Sequence, residues 1–322
     1  MEDRIVEKKA LVKRIKENIG SVIIGKDEVV TQILTSILAG GHVLLEDVPG
    51  TGKTVLAKAL AASIDGVFSR IQFTPDLLPS DVVGLFYYNQ KEGEFRLKKG
   101  PIFGNIILAD EINRATPRTQ SSLLECMEEY QVTIDGQTQE LKRPFIVIAT
   151  QNPVETAGTF PLPEAQLDRF LMKLSLGHPS KEEEIAIMNR FLHDIDGTNR
   201  TKSLSPVCSC EDLIAMRQEA GEVFVHPLLI EYIADIVQAT RETSSIQLGV
   251  SPRGSLALLR AVKAYAYINE RNYVIPEDIK TLAVPIFAHR LVMTSGLSKE
   301  KGKINAVEDI LSKIQVPTEV WG

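Results

Sequence analysis

The sequence predicts an α/β core, a parallel sheet sandwiched by helices, followed by a smaller all-helical domain. Three observations carry that expectation. Short apolar runs such as Ile106-Ile107-Leu108-Ala109 do not alternate, helical patterns separate them, and strand patterns largely disappear after Leu176-Gly177-His178-Pro179-Ser180. A strand that is apolar throughout is buried on both faces, which requires helices on each side of a mostly parallel sheet.

The elements follow in order. Ile5, Leu11, Val12, Ile15 and Ile19 recur at helical spacing and end at Gly20, so a helix is expected over 5–19. Val22-Ile23-Ile24-Gly25 reads as a short extended piece, and 27–38 as a helix stopped by Gly40-Gly41. Strands are then expected over 42–45, 67–73, 106–110, 145–150 and 170–174, with helices over 53–64 and 119–130. Two stretches interrupt the alternation. The segment 82–100, with Tyr87, Tyr88, Phe95 and a Glu92-Gly93 turn, reads as a β-hairpin beside the sheet. The segment 131–141 reads as a second hairpin turning at Asp135-Gly136. Beyond it, Ser180-Lys181-Glu182-Glu183 resembles a capping box, and helices are expected over 227–241, 252–269 and 276–284. The domain boundary falls at 177, giving a core over 1–177 and a helical domain over 178–322.

Composition narrows the function classes. A chain of 322 residues is long for one domain. Its 36 Lys plus Arg against 42 Asp plus Glu give a net charge of -6, without the basic excess of a protein that grips nucleic acid. Three cysteines cannot build a disulfide framework, and Cys208-Ser209-Cys210 is too tightly spaced for a C-x2-C metal knuckle. Residues 1–9 are highly charged and lack the apolar stretch of a signal peptide, and no run of about 18 apolar residues exists. A cytosolic location is the expectation.

The chemistry concentrates at strand ends. The strand at 42–45 leads through Glu46-Asp47-Val48-Pro49-Gly50-Thr51-Gly52-Lys53-Thr54 into a helix. Glycines there let backbone N–H groups wrap phosphates at a helix N-terminus, where the dipole favours anions. Val48, Pro49, Gly50, Thr51, Gly52, Lys53, Thr54 and Val55 are the candidate nucleotide contacts. Lys53 would reach the β- and γ-phosphates, and the Thr54 hydroxyl would ligate Mg2+. The general pattern has Gly six residues before the Lys, and Asp47 stands there instead. Ile106-Ile107-Leu108-Ala109-Asp110-Glu111 delivers two carboxylates at the C-terminal end of a strand, where open α/β sheets bind ligands. Asp110 would hold the metal shell, and Glu111 would orient or deprotonate water. Asn152 ends the strand Ile146-Val147-Ile148-Ala149-Thr150-Gln151, but Asn152-Pro153 is equally a turn initiator. Arg169 and Arg253 are candidate γ-phosphate ligands, and by position alone each is equally a surface ion-pair partner.

With these residues assembled, the chain resembles the MoxR family of AAA+ ATPases. Lys99-Gly100-Pro101-Ile102-Phe103, Leu108-Ala109-Asp110-Glu111-Ile112-Asn113-Arg114-Ala115, Gln131-Val132-Thr133-Ile134-Asp135-Gly136, Ala149-Thr150-Gln151-Asn152-Pro153 and Pro163-Glu164-Ala165-Gln166-Leu167-Asp168-Arg169-Phe170 carry the likeness. It implies an AAA+ P-loop core with a helical lid domain. It makes Lys53 and Thr54 Walker A, Asp110 and Glu111 Walker B, Asn152 sensor 1, and Arg253 a sensor 2 that closes the lid over the nucleotide. Arg169 becomes an arginine finger acting on a neighbouring subunit's ATP, and Ile24 and Gly25 part of the adenine pocket. The implied function is Mg2+-dependent ATP hydrolysis by a hexameric ring that remodels client proteins, often ones bearing von Willebrand A domains. The hairpins at 82–100 and 131–141 would face the pore or the partner, although their tyrosines could equally pack on the core. A nucleic-acid motor and a nucleotide-gated scaffold with little turnover are the rival functions. The acidic balance speaks against the first and the intact Asp110-Glu111 pair against the second.

Overall fold

The computed structural model describes residues 2–48, 50–153, 158–192, 204–294 and 300–317. Two helices, α1 (Glu2–Gly20) and α2 (Asp27–Leu38), precede β1 (Val43–Glu46) and α3 (Lys53–Ser63). The segment between α1 and α2 is a turn rather than the extended piece expected from Val22-Ile23-Ile24. Val22 and Ile23 pack partly buried against the core instead of pairing with a strand. Then come β2 (Ile64–Asp65), β3 (Phe68–Gln72), α4 (Pro79–Val83), β4 (Gly84–Asn89), β5 (Glu94–Lys99) and β6 (Ile106–Asp110). The core continues through α5 (Pro117–Glu129), β7 (Gln131–Ile134), β8 (Gln137–Glu140), β9 (Ile146–Gln151), α6 (Glu164–Leu167) and β10 (Met172–Leu174).

Five of these strands make one sheet in the order β10-β1-β9-β6-β3. Every neighbouring pair is parallel, with registers such as Val43 opposite Ile148 and Ile107 opposite Val147. All residues of β6 are buried. Its Ile106 and Leu108 join a cluster on one face with Ile33, Ile37 and Leu60, while Ile107 and Ala109 join Leu123 and Met127 on the other. Burial on both faces is why the strand is apolar at every position, since alternation would put polar groups against helices. The hairpins β4–β5 and β7–β8 pair antiparallel outside the sheet. Tyr87, Tyr88 and Phe95 on the first are exposed, so of the two alternatives for these tyrosines the outward one holds.

After the sheet the chain is mainly helical: α7 (Lys181–Leu192), α8 (Cys210–Gly221), α9 (Pro227–Glu242), α10 (Pro252–Ile268), α11 (Pro276–Phe287) and α12 (Glu300–Lys313). Ser180 and Glu183 exchange side-chain-to-backbone hydrogen bonds at the start of α7, as the capping-box spacing predicts. Short strands persist here. β11 (Cys208–Ser209) pairs with β2, and β12 (Ile246–Leu248) pairs with β13 (Val292–Met293). Segments this short carry no readable period, so the sequence pattern could not announce them. Leu258, Ala261 and Val262 of α10 are buried in the same cluster as Ile33, Leu34 and Ile37 of α2, so one core runs from the sheet's flank into the later helices. Among the described residues no helix is long and apolar enough to cross a membrane.

Candidate functional site at the two ends of the sheet

The phosphate loop joins β1 to α3 at the C-terminal end of the sheet. Gly50 and Gly52 have φ of 86° and 90°, left-handed values where a Cβ would be strained. Gly52 is also the N-cap of α3 and brings no side chain to the first-turn amides, which stay open to an anion. Lys53 Nζ donates to the carbonyls of Asp47 at 2.5 Å and Val48 at 3.2 Å. Burial pulls its pKa below the usual lysine value, and the carboxylates of Asp47, Asp110, Glu111 and Glu46 oppose that shift. The Thr51 hydroxyl donates to the Val48 carbonyl, and Val55 is exposed on α3. Pro49, expected to contact nucleotide, lies outside the described residues. Ile24 and Gly25 occupy the turn before α2, where Gly25 has φ of 70° and lies so close to Glu183 that a Cβ would collide with its carboxylate.

Asp110 and Glu111 end β6 beside this loop. Asp110 Oδ1 accepts from Thr150 Oγ1 at 2.6 Å, and Oδ2 accepts from Thr54 Oγ1 at 3.4 Å. The same Oδ2 accepts from Arg70 Nη2 at 2.6 Å and Nε at 3.2 Å. A hydroxyl and a carboxylate oxygen facing each other fit Mg2+, which binds through one or two protein oxygens and completes its shell with phosphates and water. Among the described residues no group of three or more His, Cys, Asp or Glu gathers to cage a metal, so phosphate oxygens would have to complete the shell. Glu111 adopts a left-handed conformation (φ 56°, ψ 49°). Its N–H donates to Thr150 Oγ1 at 2.9 Å, so one threonine hydroxyl locks both acidic residues. The Glu111 carboxylate accepts from Gln72 Nε2 at 2.9 Å and is paired with Arg114 Nε at 3.0 Å. Asn152 is buried just past β9, and its carbonyl is 3.5 Å from Asn113 Nδ2.

Arg70, Gln72 and Thr150 were not singled out from the sequence. Arg70 and Gln72 are i and i+2 on β3, so they share one face, and Gln72 lies in register with Asp110. Only the pairing of β3 with β6 brings them to the carboxylates.

Arg169 and Arg253 stand elsewhere. Arg169 Nη1 donates to the Leu124 carbonyl at 2.6 Å and pairs with Glu128 Oε2 at 3.2 Å. Arg253 Nη2 donates to Glu128 Oε1 at 2.7 Å. Arg169 precedes β10, and the two arginines border a cavity of about 150 Å³ with Gly41 and His42, which precede β1. In a parallel sheet the segments leading into strands gather at the end opposite the segments leaving them. The arginines therefore lie at the N-terminal end, across the sheet from the phosphate loop. Arg253, expected to close the lid over the nucleotide, here pairs from the start of α10 with Glu128 of α5.

Two buried groups shape this second end. His42 Nδ1 accepts from the Val147 N–H at 3.1 Å, and Nε2 donates to the Met127 carbonyl at 3.0 Å. Burial drops its pKa to about 4, so the ring is neutral and ties β1 and β9 to the turn carrying Glu128. Arg290, buried, donates to Asp168 Oδ1 at 2.6 Å, to the Phe170 carbonyl at 2.8 Å and to the Leu171 carbonyl at 3.2 Å. Those contacts bracket Arg169 on both sides. Nothing local to Ala288-His289-Arg290 signals this role, because its partners are far away in the chain.

A phosphate loop and paired carboxylates at the C-terminal edge of a parallel sheet, with a helical region behind, define a P-loop ATPase. Residues 42–172 match the ATPase family associated with various cellular activities (AAA), and residues 238–314 match the AAA lid domain. The chain is 50% identical over 310 residues to the uncharacterized protein YeaC of Bacillus subtilis, with 96% of each chain covered. It is 41% identical over 306 residues to chaperone MoxR1 of Mycobacterium tuberculosis, covering 92% of this chain and 80% of that one. A solved structure of a candidate ATPase from Cytophaga hutchinsonii superposes with a TM-score of 0.88 at 41% identity, covering 98% of both chains. The chain belongs to the MoxR family of AAA+ ATPases, as its motifs implied.

Proposed function

We propose that this ATPase works as a ring, hexameric by family resemblance, in which each ATP is held between two subunits and hydrolysis remodels a client protein. The observation that carries the reading is the division of the candidate groups between opposite ends of one sheet. Lys53, Thr54, Asp110, Glu111 and Asn152 gather near the phosphate loop, whereas Arg169 and Arg253 share Glu128 at the far end. A rigid sheet lies between them, so one chain cannot bring both sets to one phosphate. A neighbour can.

In this reading Lys53 leaves the Asp47 and Val48 carbonyls to meet the β- and γ-phosphates. Arg70 yields Asp110 Oδ2, freeing the carboxylate beside Thr54 for Mg2+. When bound, that ion would neutralise charge developing on the phosphate oxygens. Glu111 must leave Gln72 and Arg114 before its carboxylate can take a proton from the attacking water, with Asn152 orienting the γ-phosphate or that water. Arg169 and Arg253 of the adjacent subunit, released from Glu128, would steady the leaving charge. Residue 177 is the proposed border between the nucleotide-binding core and the lid, and the cytosol the proposed compartment. The name of the mycobacterial relative supports a chaperone-type role, and the family resemblance suggests clients with von Willebrand A domains.

The test mixes two inactive variants. Arg169→Ala and Lys53→Ala are each expected to lose hydrolysis, and mixed rings should regain part of it because each supplies what the other lacks. Mixed rings that form but stay inactive would overturn the shared site.

A further inference from the structure

We infer that Asp47 is a positioning residue that couples the phosphate loop to the segment leaving the sheet for the lid. It stands where the general phosphate-loop pattern has glycine, and its side chain is taken up by neighbouring backbone. Instead Asp47 Oδ2, buried, accepts from the backbone N–H of Leu176 at 2.6 Å and of Gly177 at 2.9 Å, and from Ser175 Oγ at 3.2 Å. Oδ1 accepts from the Val48 N–H at 3.2 Å. One carboxylate thus holds both the first residues of the loop and the three residues after β10. A glycine at position 47 offers no acceptor to that segment, and charged acceptors form the stronger class of hydrogen bond.

The held segment leads directly into the later helices. Gly177 has φ of 63°, a left-handed value that strains other residues, and α7 begins shortly after it. Two further ties run the same way. Lys173 Nζ bridges Glu46 Oε2 at 2.9 Å and Glu300 Oε2 at 3.0 Å, linking the last residue of β1 to the first of α12. Lys26 Nζ donates to the His178 carbonyl at 3.4 Å and pairs with Glu183 Oε2 at 3.6 Å, joining the start of α2 to the same linker and α7.

The input is Lys53. Its Nζ donates to the Asp47 carbonyl, and a bound triphosphate competes for that same ammonium. Drawing Lys53 to phosphate removes the donor from Asp47's main chain while the side chain keeps its grip on Leu176 and Gly177. Loop and linker then move together. The inference rests on the proposed ATP site, and binding measured separately keeps the two apart.

Hydrogen exchange on the unsubstituted chain reads the coupling directly. Adding ATP under non-hydrolysing conditions should slow exchange at the Leu176 and Gly177 amides by about fivefold or more. In Asp47→Gly and in the isosteric Asp47→Asn, fluorescent ATP-analogue affinity should stay within about threefold while kcat falls about tenfold or more. Exchange at the two amides should then be fast and indifferent to ATP. The inference is overturned if ATP leaves those amides unchanged in the parent chain. It is equally overturned if either variant turns over at the parent rate, or loses nucleotide binding outright, since Asp47 would then shape the loop itself. Failure of the underlying site looks different: the parent chain would bind the analogue no better than Lys53→Ala.

Discussion

The two ends of the central sheet are built from opposite materials. The C-terminal end gathers glycines in left-handed conformations, open helix amides and two carboxylates. At the N-terminal end, Arg169 and Arg253 are held on one glutamate, with buried Arg290 and a neutral buried histidine behind them. One end offers backbone amides and carboxylates, the other guanidinium groups. In the proposed reading the unit of activity is a pair of chains, and that reading can be broken from either side.

The largest effect is expected from the arginine end. Arg169→Ala should lower ATP turnover by about 10³-fold or more, in the range of a lost arginine finger. Nucleotide affinity of the isolated chain should be unchanged, as measured by titration with a fluorescent analogue. A large loss of affinity in the monomer would place Arg169 near its own chain's nucleotide and collapse the comparison. From the opposite end, Glu111→Gln should cut turnover by about 10²–10⁴-fold, the usual contribution of a general base, while still binding ATP. Steady-state hydrolysis near the parent rate would mean that Glu111 does not act on the water.

Arg290→Ala removes the guanidinium that serves the Asp168 carboxylate and the Phe170 and Leu171 carbonyls, and breaking a buried pair costs about 3–5 kcal/mol. Denaturant unfolding should register that loss, and Arg290→Lys should recover only part of it because ammonium lacks the planar fork. An unchanged unfolding midpoint would mean that the segment around Arg169 stands without its brace.

The smallest effect is a pH dependence. His42 has an ordinary pKa near 6.5 when unfolded and about 4 when folded, so the folded state resists its protonation. Its contribution is complete above pH 6.5 and declines as pH falls from there towards about 4, by about 3 kcal/mol in all. His42→Gln should flatten that stretch of the stability profile, followed by thermal unfolding between pH 4 and 7. A profile that keeps its slope would assign the loss to other groups.

Much of this molecule was legible in order along the chain. Unbroken apolar runs announced the sheet because residues such as Ile106 and Ile107 are buried on opposite faces. Left-handed glycines and a lysine opening a helix announced the phosphate loop, because those constraints act within a few residues. Arg70, Gln72, Thr150 and Arg290 were illegible, since each acts on a partner brought near by strand pairing or by the later helices. Asp47 was visible only as a departure from pattern, and its partners Leu176 and Gly177 lie at the far side of the core sequence.

By itself the sequence determined the fold class, the phosphate loop and the acidic pair, all set by local periodicity and short-range geometry. Only the tertiary structure decided that Arg253 joins Arg169 on Glu128 at the N-terminal end, because Arg253 opens a helix far along the chain from that strand. It also decided what Asp47 holds, since a buried carboxylate takes its donors from whatever backbone folds against it.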